Sequence, residues 1–158
     1  ANVEHHQASW HRDIPYQEYT LSRPISMNAF YCLSPFTKET GGTIFLPYSH
    51  KFEKFPSLGF LEENQIQPEL NSGDVIIFDS WLYHKAGNNS SKLDRYGINH
   101  VFTSPILAQQ INLPRLLKRK YSENEQHYEL LGYKYERPDS VLEYRKERLQ
   151  RVKQRNEK

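Results

Sequence analysis

The chain has 158 residues, 37% of them hydrophobic and 25% charged, the make-up of a globular domain with a real core rather than of a disordered chain. No apolar run, Val75-Ile76-Ile77-Phe78 included, approaches the roughly 18 residues a spanning helix needs, so a soluble, cytoplasmic protein with no membrane partner is expected. One cysteine, Cys32, excludes an internal disulfide framework and a Cys-rich zinc site, so any metal chemistry must use His and carboxylates.

The formal net charge of +2 is unevenly spread. Residues 143–158 hold seven Lys/Arg against three Glu, read as a solvated helical tail; nucleic acid is not an expected partner. The first residue is Ala1 and the only methionine is Met27, so the chain is expected to begin inside a longer protein, truncated at its N-terminal side.

Up to about Pro105 the segments between breakers are short and rich in β-branched and aromatic residues, which predicts mainly β structure without internal repeats. Residues 25–34 alternate. Ile25, Met27, Ala29, Tyr31 and Leu33 share one face of a strand; Ser26, Asn28, Phe30, Cys32 and Ser34 share the other, whose polar members suit a pocket wall. Residues 37–42 carry turn chemistry, residues 43–46 form a short strand stopped by Pro47, and a loop or short helix follows over 49–63. Gly73-Asp74 turns the chain into a buried strand over 75–78, and residues 81–84 lead toward another. After a turn at 87–91, residues 95–103 alternate again, with Arg95, Gly97, Asn99 and Val101 on one face. Beyond Pro105 the charged, Leu-containing segments predict helices. Ser140 with Glu143 is a capping-box pair, and Val141, Tyr144 and Val152 form an apolar stripe on the last of them. The expected architecture is a mainly β, jelly-roll core over 1–105 and a helical C-terminal extension over 106–158.

Three residues carry metal-binding chemistry. His11 and Asp13 lie two apart, so on an extended segment their side chains point the same way toward one ion. His84 follows the apolar strand and the Asp79-Ser80-Trp81 corner, at the kind of strand end from which a third ligand reaches across a sandwich. Two His and one carboxylate, with open positions opposite, is the ligand set of non-haem Fe(II) oxygenases. Arg95 comes eleven residues after His84, room for a turn and a return strand. Its planar fork matches a carboxylate, although an arginine in a pocket also serves as a structural ion-pair partner. A dianionic cosubstrate would bring the formal charge of Fe(II), Asp13 and Arg95 to zero, and a neutral site costs less to bury.

The set Trp10-His11-Arg12-Asp13, Gly41-Gly42 leading to Leu46-Pro47-Tyr48-Ser49-His50-Lys51, and Gly73-Asp74 with Phe78, His84, Gly87, Asn89 and Arg95 resembles the phytanoyl-CoA dioxygenase family. The resemblance runs from about Ser9 to Pro105. It implies a double-stranded β-helix (cupin-like), metal ligands His11, Asp13 and His84, and Arg95 as the anchor for the distal carboxylate of 2-oxoglutarate. Phe30 falls where relatives often place an aromatic beside the cosubstrate. The implied reaction hydroxylates a small-molecule or acyl-type substrate with O2, releasing succinate and CO2. Asp13 favours hydroxylation, since related halogenases lack this carboxylate. Two positions depart from the pattern: Ala86 stands where relatives often carry a hydroxyl, and Tyr48 where the loop usually has Gly.

Asn28 is placed with Phe30 and Arg95 among the cosubstrate-binding residues, and Asn99 and Trp81 are further pocket candidates. His50, His100 and His127 are read as structural or exposed, and His5 and His6 as loop residues. Tyr16, Tyr19 and Arg23 follow the H-x-D on a loop that in this fold often touches substrate. The alternatives to an Fe(II)/2-oxoglutarate oxygenase are a non-catalytic jelly-roll metal-binding module and a zinc hydrolase on the same ligands. No oligomeric state is assigned.

Overall fold

The computed structural model describes residues 6–14, 20 and 22–156, which divide into two compact units, 1–104 and 105–158.

In the first unit the alternating segment becomes strand β1 (Ser26–Cys32), the centre of an antiparallel three-stranded sheet in the order β3-β1-β5, with β3 at Val75–Asp79 and β5 at Gly97–Thr103. The register sets Asn28 between Phe78 and Val101, and Phe30 between Ile76 and Asn99. The polar face of β1 turns inward: Ser26, Asn28 and Cys32 are all buried to within 1% of full. Period-two geometry then sends Tyr31 outward, where it is exposed.

The strand over 75–78 is not buried as expected. Only Phe78 is, while Val75 and Ile77 are exposed. β3 is an edge strand, and its alternate residues lie on the outer face, so an unbroken apolar run here reflects one buried side rather than two.

A second sheet pairs β2 (Thr43–Phe45) with β4 (His84–Ala86). Single-residue antiparallel bridges extend it on both sides, His11 to His84 and Ile66 to Phe45. The two sheets meet through aromatic rings. Phe45 packs on Phe78 with centroids 5.0 Å apart, and Phe78 packs on His84 at 5.1 Å. Beyond β2, Leu46 joins Leu61 and Tyr83 in a buried cluster flanked by Trp10 and Phe52. Leu61 is the one buried residue of helix α1 (Leu58–Asn64), whose first turn is capped by the Ser57 hydroxyl accepting from the Phe60 N–H. The Gly41 turn has φ +73°, and a Cβ there would come within 2.7 Å of the Asn89 nitrogen, so glycine alone fits.

The second unit holds α2 (Leu113–Leu117), α3 (Glu125–Leu130) and α4 (Val141–Asn156). Asn112 and Asn124 cap the first two through their side-chain oxygens. Tyr133 is buried and donates its hydroxyl to the Lys120 carbonyl. Ser140 caps α4 by accepting from the Glu143 N–H at 3.1 Å. The stripe of Val141, Tyr144 and Val152 is exposed, and no residue of α4 is buried. No described helix is long and apolar enough to cross a membrane.

Candidate metal centre

His11, Asp13 and His84 come together with one ligand atom each within 4.8 Å of the others. The pairing of the chain creates this cluster. His11 donates its N–H to the His84 carbonyl and accepts the His84 N–H in return, each at 3.0 Å, while the Asp13 N–H is held by the Ser80 carbonyl at 3.1 Å. Both imidazoles are oriented from behind: His11 Nδ1 lies 2.8 Å from the Ser9 carbonyl and His84 Nδ1 2.9 Å from that of Leu82. A carbonyl only accepts, so each Nδ1 carries the hydrogen and each Nε2 keeps its lone pair for the site. Both Nε2 atoms lie 3.6 Å from the same oxygen, Asp13 Oδ1. Burial lowers the His84 pKa, outweighing the opposing attraction of Asp13, so the ring stays a neutral donor. Two imidazole nitrogens and a carboxylate oxygen suit a divalent first-row ion such as Fe(II), and the tied Nδ1–H groups are the outer support such ligands require.

The other carboxylate oxygen of Asp13 is engaged differently. Oδ2 accepts from the Asn28 amide and, at 3.0 Å, from the Asn99 amide. Asn28 also donates to Asn99 Oδ1 at 2.8 Å and receives the Ser80 hydroxyl on its own Oδ1 at 2.5 Å. Ser80 in turn lies 2.7 Å from the Ser26 hydroxyl. Asn28 therefore spends its amide on Asp13 rather than standing open toward a cosubstrate. Asn99, Ser80 and Ser26 stand outside the ligand and cosubstrate sets drawn from the sequence. For Asn99 the signal is asparagine, a residue depleted in strands, standing inside a strand; Ser26 and Ser80 carry no such mark.

Arg95 precedes β5 and lies over the Phe36 ring at 4.3 Å. Burial lowers its pKa, and no hydrogen bond or ion pair reaches its guanidinium among the described residues. Phe30 packs edge-on against Phe36 at 5.3 Å. Both rings occupy the space over Gly97, where a Cβ would sit 2.6 Å from Phe30 Cε1 and 2.7 Å from Phe36 Cζ. Gly97 is thus the notch that seats the aromatic platform under Arg95.

Arg12, between His11 and Asp13, points the opposite way. It is 3% exposed, donates to the Ser49 and Phe52 carbonyls at 2.7 and 2.6 Å, and stacks over Tyr83 at 4.1 Å. The Ser49 hydroxyl accepts from the Tyr83 N–H at 2.8 Å. The Leu46–His50 motif thereby acts as a brace behind the segment that carries His11 and Asp13. Trp81 is buried, His50 half-buried, and Arg23, His100 and His127 exposed. Tyr16, Tyr19 and His5 lie outside the described residues, as does the His6 side chain.

The phytanoyl-CoA dioxygenase (PhyH) family model matches residues 2–97, and the chain belongs to that family. Uncharacterized protein Rv1501 of Mycobacterium tuberculosis is 38% identical over 112 residues, covering 70% of this chain and 40% of that protein. Dioxygenase olcK of Penicillium canescens is 32% identical over 103 residues, covering 61% of this chain and 32% of olcK. The chain thus spans well under half the length of these relatives. Among solved structures, AviO1 from Streptomyces viridochromogenes Tue57 has a TM-score of 0.54 at 22% identity, covering 65% of this chain and 45% of AviO1. SnoN, a non-heme alpha ketoglutarate dependent epimerase from nogalamycin biosynthesis, has a TM-score of 0.51 at 21% identity, covering 62% and 40%. At such identities these two likenesses bear on the fold, which they share with this chain.

Proposed function

We propose that these residues form the catalytic centre of an Fe(II)- and 2-oxoglutarate-dependent oxygenase that hydroxylates a small-molecule or acyl-type substrate. The observation that carries this reading is the convergence of His11 Nε2, His84 Nε2 and Asp13 Oδ1, with both Nδ1 atoms already committed. In this reading the three side chains hold the ion, and Arg95, a desolvated cation stacked on Phe36 with no hydrogen-bond or ion-pair partner among the described residues, takes the distal carboxylate of 2-oxoglutarate. Phe30 and Phe36, packed edge-on beneath Arg95, would supply an apolar wall for the cosubstrate. Bound iron would supply the O2 activation that couples decarboxylation of 2-oxoglutarate, to succinate and CO2, with hydroxylation. The two sheets fit opposite walls of a double-stranded β-helix, and a free, buried Cys32 fits a reducing, cytoplasmic setting.

A desolvated arginine that faces no carboxylate among the described residues fits a site for an acidic cosubstrate better than a non-catalytic metal-binding module or a zinc hydrolase, which is why the oxygenase reading is preferred. Anaerobic titration with Fe(II) and then 2-oxoglutarate tests it. The chelate's weak visible charge-transfer band is expected with the wild-type chain and not with His84→Ala. Iron binding without that band, or without 2-oxoglutarate affinity, would overturn the assignment.

A further inference from the structure

The hydrogen-bonded chain behind Asp13 has a direction that its members force on one another. Ser80 gives its hydroxyl hydrogen to Asn28 Oδ1, so at the 2.7 Å contact with Ser26 it is Ser26 that donates. With its oxygen so occupied, Asn28 turns both amide hydrogens the other way, to Asp13 Oδ2 and to Asn99 Oδ1. Asn99, its oxygen now also taken, donates to the same Asp13 Oδ2 at 3.0 Å. Hydrogens flow one way from Ser26 to Asp13. Ser26, Asn28 and Ser80 are at most 1% exposed, so bulk water cannot stand in for any of these three without rearrangement.

The geometry points to Asn28, Asn99 and Ser80 as positioning residues that hold Asp13 as a ligand through one oxygen only. This rests on the reading of His11, Asp13 and His84 as the metal ligands. Two N–H donors satisfy Oδ2 and tilt the carboxylate so that Oδ1 is the oxygen 3.6 Å from each imidazole. A carboxylate relieved of them is free to rotate and chelate with both oxygens, taking a coordination position that cosubstrate or O2 would use. Ser80 acts at one remove. Without its hydroxyl, the Asn28 oxygen is left buried without its donor, and only Asp13 and Asn99 hold the amide in the orientation that donates to the carboxylate.

The test uses Co(II) as the probe, with affinity from calorimetry and the visible d–d spectrum as the readout of coordination. Wild type is expected to bind one Co(II), and His84→Ala to lose it. Asn28→Ala, Asn99→Ala and Ser80→Ala are each expected to weaken Co(II) binding by about 10- to 100-fold and to change the spectrum of the bound ion. Asn28→Ala should have the largest effect, because it also releases Asn99. Asn99 is exposed, so Asn99→Ala keeps the test available should the buried variants fail to fold. A wild-type chain that binds no Co(II) would sink the metal-site reading itself. Stoichiometric binding in wild type, with unchanged affinity and spectrum in folded Asn99→Ala and Ser80→Ala, would overturn the positioning role alone.

Discussion

His11 and His84 exchange both of their backbone hydrogen bonds, each at 3.0 Å, so two residues far apart in sequence form one rung of a ladder with their imidazole centroids 4.3 Å apart. That rung is main chain and does not depend on the rings it carries. His11→Ala, Asp13→Ala and His84→Ala are therefore each expected to abolish Fe(II) binding while leaving the circular dichroism spectrum largely intact. Near-normal iron stoichiometry in His84→Ala would remove that residue from the ligand set.

Arg95 and the cosubstrate make the second prediction. Lysine keeps the charge but not the planar fork, and stacks less well on Phe36. Arg95→Lys should weaken 2-oxoglutarate binding at least tenfold with little change in Fe(II) affinity. Ala86→Ser, which adds a hydroxyl on β4 two residues past His84, should tighten 2-oxoglutarate by about 0.5 to 1.5 kcal/mol, one added hydrogen bond. Equal affinities for wild type and Arg95→Lys would return Arg95 to a purely structural role.

The metal-free protein should lose stability in acid through His84. Its folded-state pKa is lowered by burial, so below the ordinary histidine value of about 6.5 the unfolded chain takes up the proton more readily than the folded one. Where the unfolded state binds more protons, stability rises with pH. The contribution is thus complete above about pH 6.5 and is lost as pH falls toward the lowered folded value. Urea midpoints between pH 5 and 8 should show this slope in wild type and a flatter one in His84→Gln; identical slopes would exclude His84 as the source.

Tyr48 adopts φ 61°, the left-handed region, and the residue is 76% exposed. A side chain there adds strain and little packing. Tyr48→Gly is expected to raise stability by about 0.5 to 1 kcal/mol, the strain relieved less the extra freedom glycine has when unfolded, seen as a higher Tm. A lower Tm would mean that the ring makes stabilising contacts in this loop.

How much of this was legible in the sequence depended on the range of the interaction. The inward polar face of β1 follows from alternation alone, and Asn28 was marked by it. Ser80 was not, because its role arises only where the end of β3 crosses Ser26 and Asn28, which no local pattern encodes. The apolar run 75–78 misled because a run of like residues carries no parity, and only pairing shows that Val75 and Ile77 take the outer face. The stripe on α4 misled for the converse reason: periodicity proposes a buried side but supplies nothing to bury it against. Arg12 read as part of a motif, and its service to the brace at Ser49 and Phe52 appears only in three dimensions.

The rung between His11 and His84 also sets an order of events during synthesis. His11 and Asp13 leave the ribosome long before their third partner exists, and a two-ligand fragment on an unpaired segment holds a divalent ion weakly. The full set is assembled only when β4 docks and closes the long intervening loop. If His11, Asp13 and His84 hold an ion as proposed, an ion entering then would act as a late staple across that loop, adding its binding free energy to a fold already formed.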